Sequence, residues 1–184
     1  MAKTSTRPAH LRLQRPLDPL PVPSGDDLDS MFRAYSPYVA AIAWRLLARD
    51  DEIEDVVQEV FLRAVSGLRE MRGPEAIKGW LAVVTVRVAR RRLRARKVRA
   101  FFGFGSSFDY ESLPSKDANA HDLAVLGEVH AALANVPVNK RIAWLLRYGA
   151  GESLEQVAVS CGRSLATIKR WIAETQQHLE ETLS

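Results

Sequence analysis

From Leu28 onward, apolar residues recur at the spacing of one helix face, and the alternation of a half-buried strand persists nowhere along the chain. That periodicity restricts the protein to an all-α fold. Leu28, Met31, Phe32, Tyr35, Val39, Ile42 and Leu46 share one face, with Ser36-Pro37 expected to break or restart the helix. Ile53, Val56, Val57, Val60, Phe61 and Ala64 mark a second amphipathic helix, for which Asp50 or Asp51 is the expected cap. Pro74 suits the first turn of a third, whose inner face carries Ile77, Trp80, Leu81, Val84 and Val88. Further on, Leu123, Leu126, Val129 and Leu133 lie on one helix stopped by Pro137. Ile142, Leu145 and Leu146 lie on the next, which ends near Gly149 and Gly151.

Composition interrupts this series twice. Residues 1–25 carry Pro8, Pro16, Pro19, Pro21 and Pro23 with little periodicity, as a flexible, partly extended tail does. Residues 100–120, AFFGFGSSFDYESLPSKDANA, switch to Gly, Ser, Pro and aromatics, the composition of a linker. The expected organisation is two small helical domains, 26–99 and 121–184, joined by a flexible linker at 100–120. No stretch approaches the roughly 18–20 uncharged apolar residues of a membrane helix, so membrane insertion is not expected. The first 25 residues lack the apolar core and cleavage site of a secretory signal.

Catalysis finds no footing. Cys161 is the only cysteine, which excludes an internal disulfide and a cysteine-based zinc site. His10, His121, His130 and His178 are scattered, and the carboxylates of DDEIED surround an exposed helix start with no histidine beside them. Neither a catalytic residue, a metal nor a cofactor is expected. A cytoplasmic, non-enzymatic protein is the simplest expectation.

The net charge of +4 hides a strong asymmetry. Residues 28–99 hold 15 Lys/Arg against 9 Asp/Glu, whereas 121–184 hold 6 against 7. In the first segment the acids gather in RDDEIEDVVQE and the bases at its end, in RVARRRLRARKVR. From Arg87 to Arg99 there are eight bases in thirteen residues, with no acid among them. At helical spacing these surround the helix and repel one another, which calls for a polyanion. Three or four bases read as a solvated helix end; eight, attached to an apolar platform, favour nucleic acid. Trp80 beside Arg87, Arg90, Arg91, Arg92 and Arg94 also suits unstacked single-stranded bases. The separated acids then suggest a different partner for the second helix.

SLEQVAVSCGRSLATIKRWIAE, Ser153 to Glu174, forms two short helical patterns hinged at Cys161-Gly162. Ser153 and Gln156 make a capping box, Gly162 tolerates a left-handed turn, and Ser164 caps the second helix. Leu165, Ile168, Ile172, Thr175, Leu179 and Leu183 share its inner face, while Ala166, Lys169, Arg170, Ala173 and Gln177 point away. The pattern fits an ordinary αα-hairpin or a helix-turn-helix offering its second helix to a major groove. Trp171, at the edge of the core face, either packs or touches DNA, and Glu174 is an awkward neighbour for phosphate. Lacking net positive charge, this domain alone should bind DNA weakly.

In order, these segments resemble the bacterial RNA polymerase sigma factors of the extracytoplasmic-function (ECF) group. RLLARDDEIEDVVQEVFLRAV is similar to the family's acidic turn and D-x-x-Q-E-x-F-x-x-A signature, with Asp55, Gln58, Glu59, Phe61 and Ala64 at the matching positions. GWLAVVTVRVARRRLRARK resembles the G-W-L helix and its basic continuation. Residues 133–181, with LLRY and ATIK, resemble the C-terminal domain, so the resemblance covers nearly everything from 28 to 183. It implies that Asp55, Gln58 and Glu59 dock on core RNA polymerase and that Trp80 through Arg96 hold the melted minus-ten element. It also implies that the helix opened by Arg163, Ser164 and Thr167, with Lys169 and Arg170, enters the major groove of the minus-thirty-five promoter DNA. An anti-sigma factor is a further implied partner. The chain departs from the pattern at Arg87, where the family often has Asn, and at Trp171 and Glu174, where many members carry Arg. A stand-alone helix-turn-helix regulator is the alternative, disfavoured by the low basic content of 121–184 and the lack of an obvious dimerisation helix.

Overall fold

A computed structural model describes residues 28–49, 51–68, 73–102 and 120–183. Its helices are α1 (Leu28–Leu47), α2 (Ile53–Leu68), α3 (Pro74–Phe101), α4 (Ala120–Ala134), α5 (Val138–Trp144), α6 (Leu154–Cys161) and α7 (Leu165–Thr182). Among the described residues there is no strand, in line with the all-α expectation. The tail at 1–25 and most of the 100–120 linker lie outside the described residues.

Helices α1, α2 and α3 pack on one another through the apolar faces their periodicity marks, except that Phe32, expected on the inner face of α1, lies at its edge, 38% exposed. Tyr35, Val39, Ile42, Leu46, Val56, Val60, Leu81 and Val86 are fully buried there. Contrary to expectation, α1 does not break at Pro37: the helix runs straight through it. Proline in a helix interior costs about 3 kcal/mol, but Pro37 is exposed while Tyr35, Tyr38 and Val39 around it are buried, and their burial outweighs the lost hydrogen bond. Asp51 does not cap α2 either. Its carboxylate accepts two hydrogen bonds from Arg49, at 2.9 and 2.6 Å, and α2 opens one residue after Glu52, whose carbonyl accepts from Val56 N–H. Asp50 lies outside the described residues. Pro74 does begin α3, which continues past the expected boundary at residue 99 and ends at Phe101.

In the second half, α5 runs on into a π-helical turn, Leu145–Gly149, closed by the Ala150 N–H donating to the Leu145 carbonyl at 3.0 Å, so the helical stretch ends at Gly149 as expected. Trp144, Leu145 and Leu146 are buried through it. Val129 and Leu133 of α4 are buried as expected, and the side chains of Leu123 and Leu126 lie outside the described set. His130, buried on the same helix, accepts at Nδ1 from the Arg141 guanidinium at 3.3 Å.

The two halves are not separate beads. Helix α3 packs against α5 and α6 as well as α1 and α2, and α1 touches the π turn, so one hydrophobic core runs through both. Polar contacts bridge the same seam. The Tyr38 hydroxyl donates to Glu152 Oε1 at 3.2 Å, with both residues buried, and Arg90 donates to the Cys161 carbonyl at 3.3 Å.

Candidate nucleic-acid interface

The arginine run forms the last four turns of α3, carried there by an inner face on which Val88, Ala89 and Leu93 stay buried. The structure divides its bases into two sets. Arg91 reaches Glu59 at 2.5 Å, and Arg92 lies 3.4 Å from Glu52 and 3.5 Å from Glu59. Arg96 grips Glu52 through two nitrogens, at 2.6 and 3.2 Å, and donates to the Leu47 carbonyl at 3.0 Å, satisfying an orphan acceptor at the end of α1. Arg90 is half-buried against α6, and burial lowers its pKa from the usual arginine range. By contrast Arg87, Arg94, Lys97 and Arg99 are exposed and pair with no carboxylate among the described residues.

Part of the expected mutual repulsion is therefore cancelled inside the protein. Glu52, by sequence one of the carboxylates around an exposed helix start, is instead partly buried and surrounded by three arginines, the third being Arg49 at 3.9 Å. The signal was the acidic cluster itself. Consecutive helices that pack together bring the start of α2 beside the end of α3, which spacing along one chain segment does not display. Glu59, which the resemblance places with Asp55 and Gln58 as a docking residue, is only 20% exposed in its side chain and is held by Arg63 at 2.9 Å as well as by Arg91. Asp55 and Gln58 stand exposed on α2. Trp80 is partly buried against the core at the start of the basic stretch.

The C-terminal pair has the local geometry its sequence demands. Ser153 Oγ accepts from the Gln156 N–H at 3.1 Å while Gln156 Oε1 accepts from the Ser153 N–H at 2.8 Å, completing the capping box. Gly162 takes φ 63° and ψ 47°, the left-handed cap that lets the chain turn into α7. Ser164 Oγ accepts from the Thr167 N–H at 3.3 Å and lies 2.9 Å from the Thr167 hydroxyl. Ile168, Ile172, Thr175 and Leu179 are buried, and Arg163, Lys169 and Arg170 are exposed on the other side. Trp171 packs against the core. The Glu174 carboxylate accepts from Lys140 at 2.6 Å, which holds its pKa below the usual range, and lies 4.0 Å from Arg170. Its charge is thereby offset before any phosphate approaches. Cys161 is buried, and burial pushes its thiol up to about 11, so it carries no nucleophilic role. Among the described residues no group of His, Cys, Asp or Glu is placed to hold a metal, and no helix is long and apolar enough to cross a membrane.

The family model for Sigma-70 region 2 matches residues 31–99, the span of α1 to α3. The chain is 29% identical over 175 residues to the ECF RNA polymerase sigma factor SigE of Mycolicibacterium smegmatis, a match covering 91% of this chain and 64% of that protein. To the ECF RNA polymerase sigma factor EcfG of Rhodopseudomonas palustris it is 28% identical over 163 residues, covering 88% of each. Among solved structures, the sigma factor RpoE of Bartonella quintana, in complex with the anti-sigma factor NepR, superposes with a TM-score of 0.65 at 25% identity, covering 86% of this chain and 98% of that one. A matched family segment, relatives aligned through both halves and a shared fold agree with the divided charge and the helix-turn-helix: residues 31–99 carry a Sigma-70 region 2, and the chain is similar along most of its length to the ECF group of RNA polymerase sigma factors.

Proposed function

We propose that α2 presents Asp55, Gln58 and Glu59 to core RNA polymerase, that α3 holds the melted minus-ten strand, and that α7 reads the minus-thirty-five element. Residues 26–99 and 121–184 then act as separate functional units on either side of the linker at 100–120, within the cytoplasm. The observation that carries this reading is the sorting of charge on α3. Arg87 and Arg94 face solvent uncompensated, whereas Arg91, Arg92 and Arg96 are tied to α2 and to the residue before it. Trp80 and Arg87 supply stacking and phosphate contact, while Arg90, Arg91 and Arg92 add charge once their present partners are displaced. On α7, Lys169 and Arg170 are the outward cations, and Arg163, Ser164 and Thr167 form the capped end nearest the groove.

The reading requires a change of shape. Promoter elements named for positions 10 and 35 lie about 25 base pairs apart, or about 85 Å at 3.4 Å per pair. A folded chain of this length has a radius of gyration of about 16 Å. With α6 against α3, the two reading helices cannot reach both elements together, so the halves separate on the polymerase. The packed arrangement suits an inactive factor, and an anti-sigma factor that stabilises it is the matching inhibitor.

Co-purification with bacterial core RNA polymerase tests the docking face. Wild-type protein binds stoichiometrically and Asp55→Arg does not. Undiminished binding by the variant moves the contact off α2, and absence of wild-type binding at micromolar concentration removes it altogether.

A further inference from the structure

Trp80, Arg87, Arg94 and Phe101 stand seven residues apart along α3. Seven residues are almost two turns, with a drift of about 20° each time. The four therefore form one stripe, about 31 Å long at 1.5 Å per residue. Its two central arginines are exposed and unpaired among the described residues, and Lys97 and Arg99 add exposed cations toward the far end. Between Glu75 and Asp109 the chain contains no acid at all. The stripe closes on Phe101, 85% exposed, with Phe102 at 66% and Val98 at 55% beside it. The two phenyl rings meet edge to face, their centroids 5.5 Å apart and their planes at 87°.

Exposed apolar rings at the end of a rigid helix favour an occupant, and the free cations around them select its chemistry. An apolar protein surface would have to strip water from Arg94, Lys97 and Arg99 without compensating them. Single-stranded nucleic acid offers flat apolar faces and phosphates together. We propose that Phe101, braced by Phe102, is a second stacking platform for an unpaired base, at the opposite end of a strand path that begins at Trp80. This rests on α3 being the melted-strand helix and extends that reading past the basic run into its aromatic end. Arg87 and Arg94 neutralise the phosphates between the two platforms, and the perpendicular Phe102 ring leaves one face of Phe101 open.

The test is binding of the full-length protein to a fluorescein-labelled single-stranded oligothymidylate of about 15 nucleotides, followed by anisotropy across a salt series. Phe101→Ala/Phe102→Ala lowers affinity about tenfold or more while the slope of log K against log salt stays unchanged, because a stacked base is lost and no phosphate contact is. Arg87→Ala/Arg94→Ala flattens that slope by about 1.4, at about 0.7 per phosphate. Phe101→Trp keeps the affinity. Loss in the arginine pair alone, with the phenylalanine pair binding as wild type, overturns the platform and leaves the reading of α3 standing. Indifference to both pairs sinks both. If the phenylalanine pair binds oligothymidylate normally but fails to co-purify with core polymerase, the rings contact protein and the proposal is wrong.

Discussion

The end of α3 and the start of α7 both offer cations to solvent, but they do so by opposite means. α3 concentrates eight bases in thirteen residues and needs carboxylates from the neighbouring helix to hold part of them in place. α7 presents Lys169 and Arg170 on a half of the molecule that is not net positive, and its precision comes from caps: Ser153, Gly162 and Ser164 set the angle between two helices. Charge density supplies affinity for any phosphate chain, whereas a fixed helix angle supplies placement in a groove. On the proposed function, the first region would bind without discriminating, and the second would discriminate but bind weakly unless tethered. Packing of α3 against α5 and α6 joins the two regions in one core.

Whether the two regions truly share that core is the widest test. Ile168→Ala opens a cavity at a fully buried site on α7 and should cost about 2–5 kcal/mol. Urea unfolding followed separately at Trp44 and Trp80 in the first half, and at Trp144 and Trp171 in the second, should show one transition moving together. If the first pair kept its wild-type midpoint, the halves would be independent. Acid probes the second half selectively, since His130 is its only buried histidine among the described residues. Burial, and then the charge of Arg141, lower its pKa from 6.5 to about 3. Between those values the unfolded chain binds more protons than the folded one, so stability falls as pH drops, by at most about 1.4 kcal/mol per unit. His130→Gln should flatten that acid slope in urea midpoints measured from pH 7 to 4; an unchanged slope would place the titrating group elsewhere. The smallest effects separate the two carboxylates that steady α3. Glu52→Gln leaves the partly buried Arg92 and Arg96 poorly matched and should cost about 1–2 kcal/mol. Glu59→Gln loosens Arg63 and Arg91, both more than half exposed, and leaves Arg92 its contact with Glu52, so it should cost less than about 1 kcal/mol. Equal losses would erase the distinction between a structural and a surface pairing.

Local chemistry was legible residue by residue. The capping box at Ser153-Gln156, the left-handed Gly162, the Ser164 cap and the buried face of α7 follow from propensity and period, and the structure contains each. So does the start of α3 at Pro74. The differences arise where a competing contact outweighs a residue's intrinsic preference. Pro37 is a helix breaker by itself, but two buried tyrosines and a valine hold α1 through it. Asp51 is a good cap in isolation, but Arg49 takes its carboxylate.

The candidate site shows the same division. Periodicity and charge count along the chain determined by themselves that the protein is helical, that its bases and acids are segregated, and that a short bent pair ends it, because those properties depend on neighbours within a turn or two. Only the tertiary structure decided which bases remain free. Arg87 and Arg94 differ from Arg92 and Arg96 in nothing but the direction they face, and that direction acquires meaning only once Glu52 and Glu59 arrive from another helix. Only the packing, likewise, set α6 against α3 and closed the molecule through Tyr38–Glu152 and Arg90–Cys161, pairs separated by 114 and 71 positions. A helix's period records which face is apolar; it holds no record of which other face it will meet.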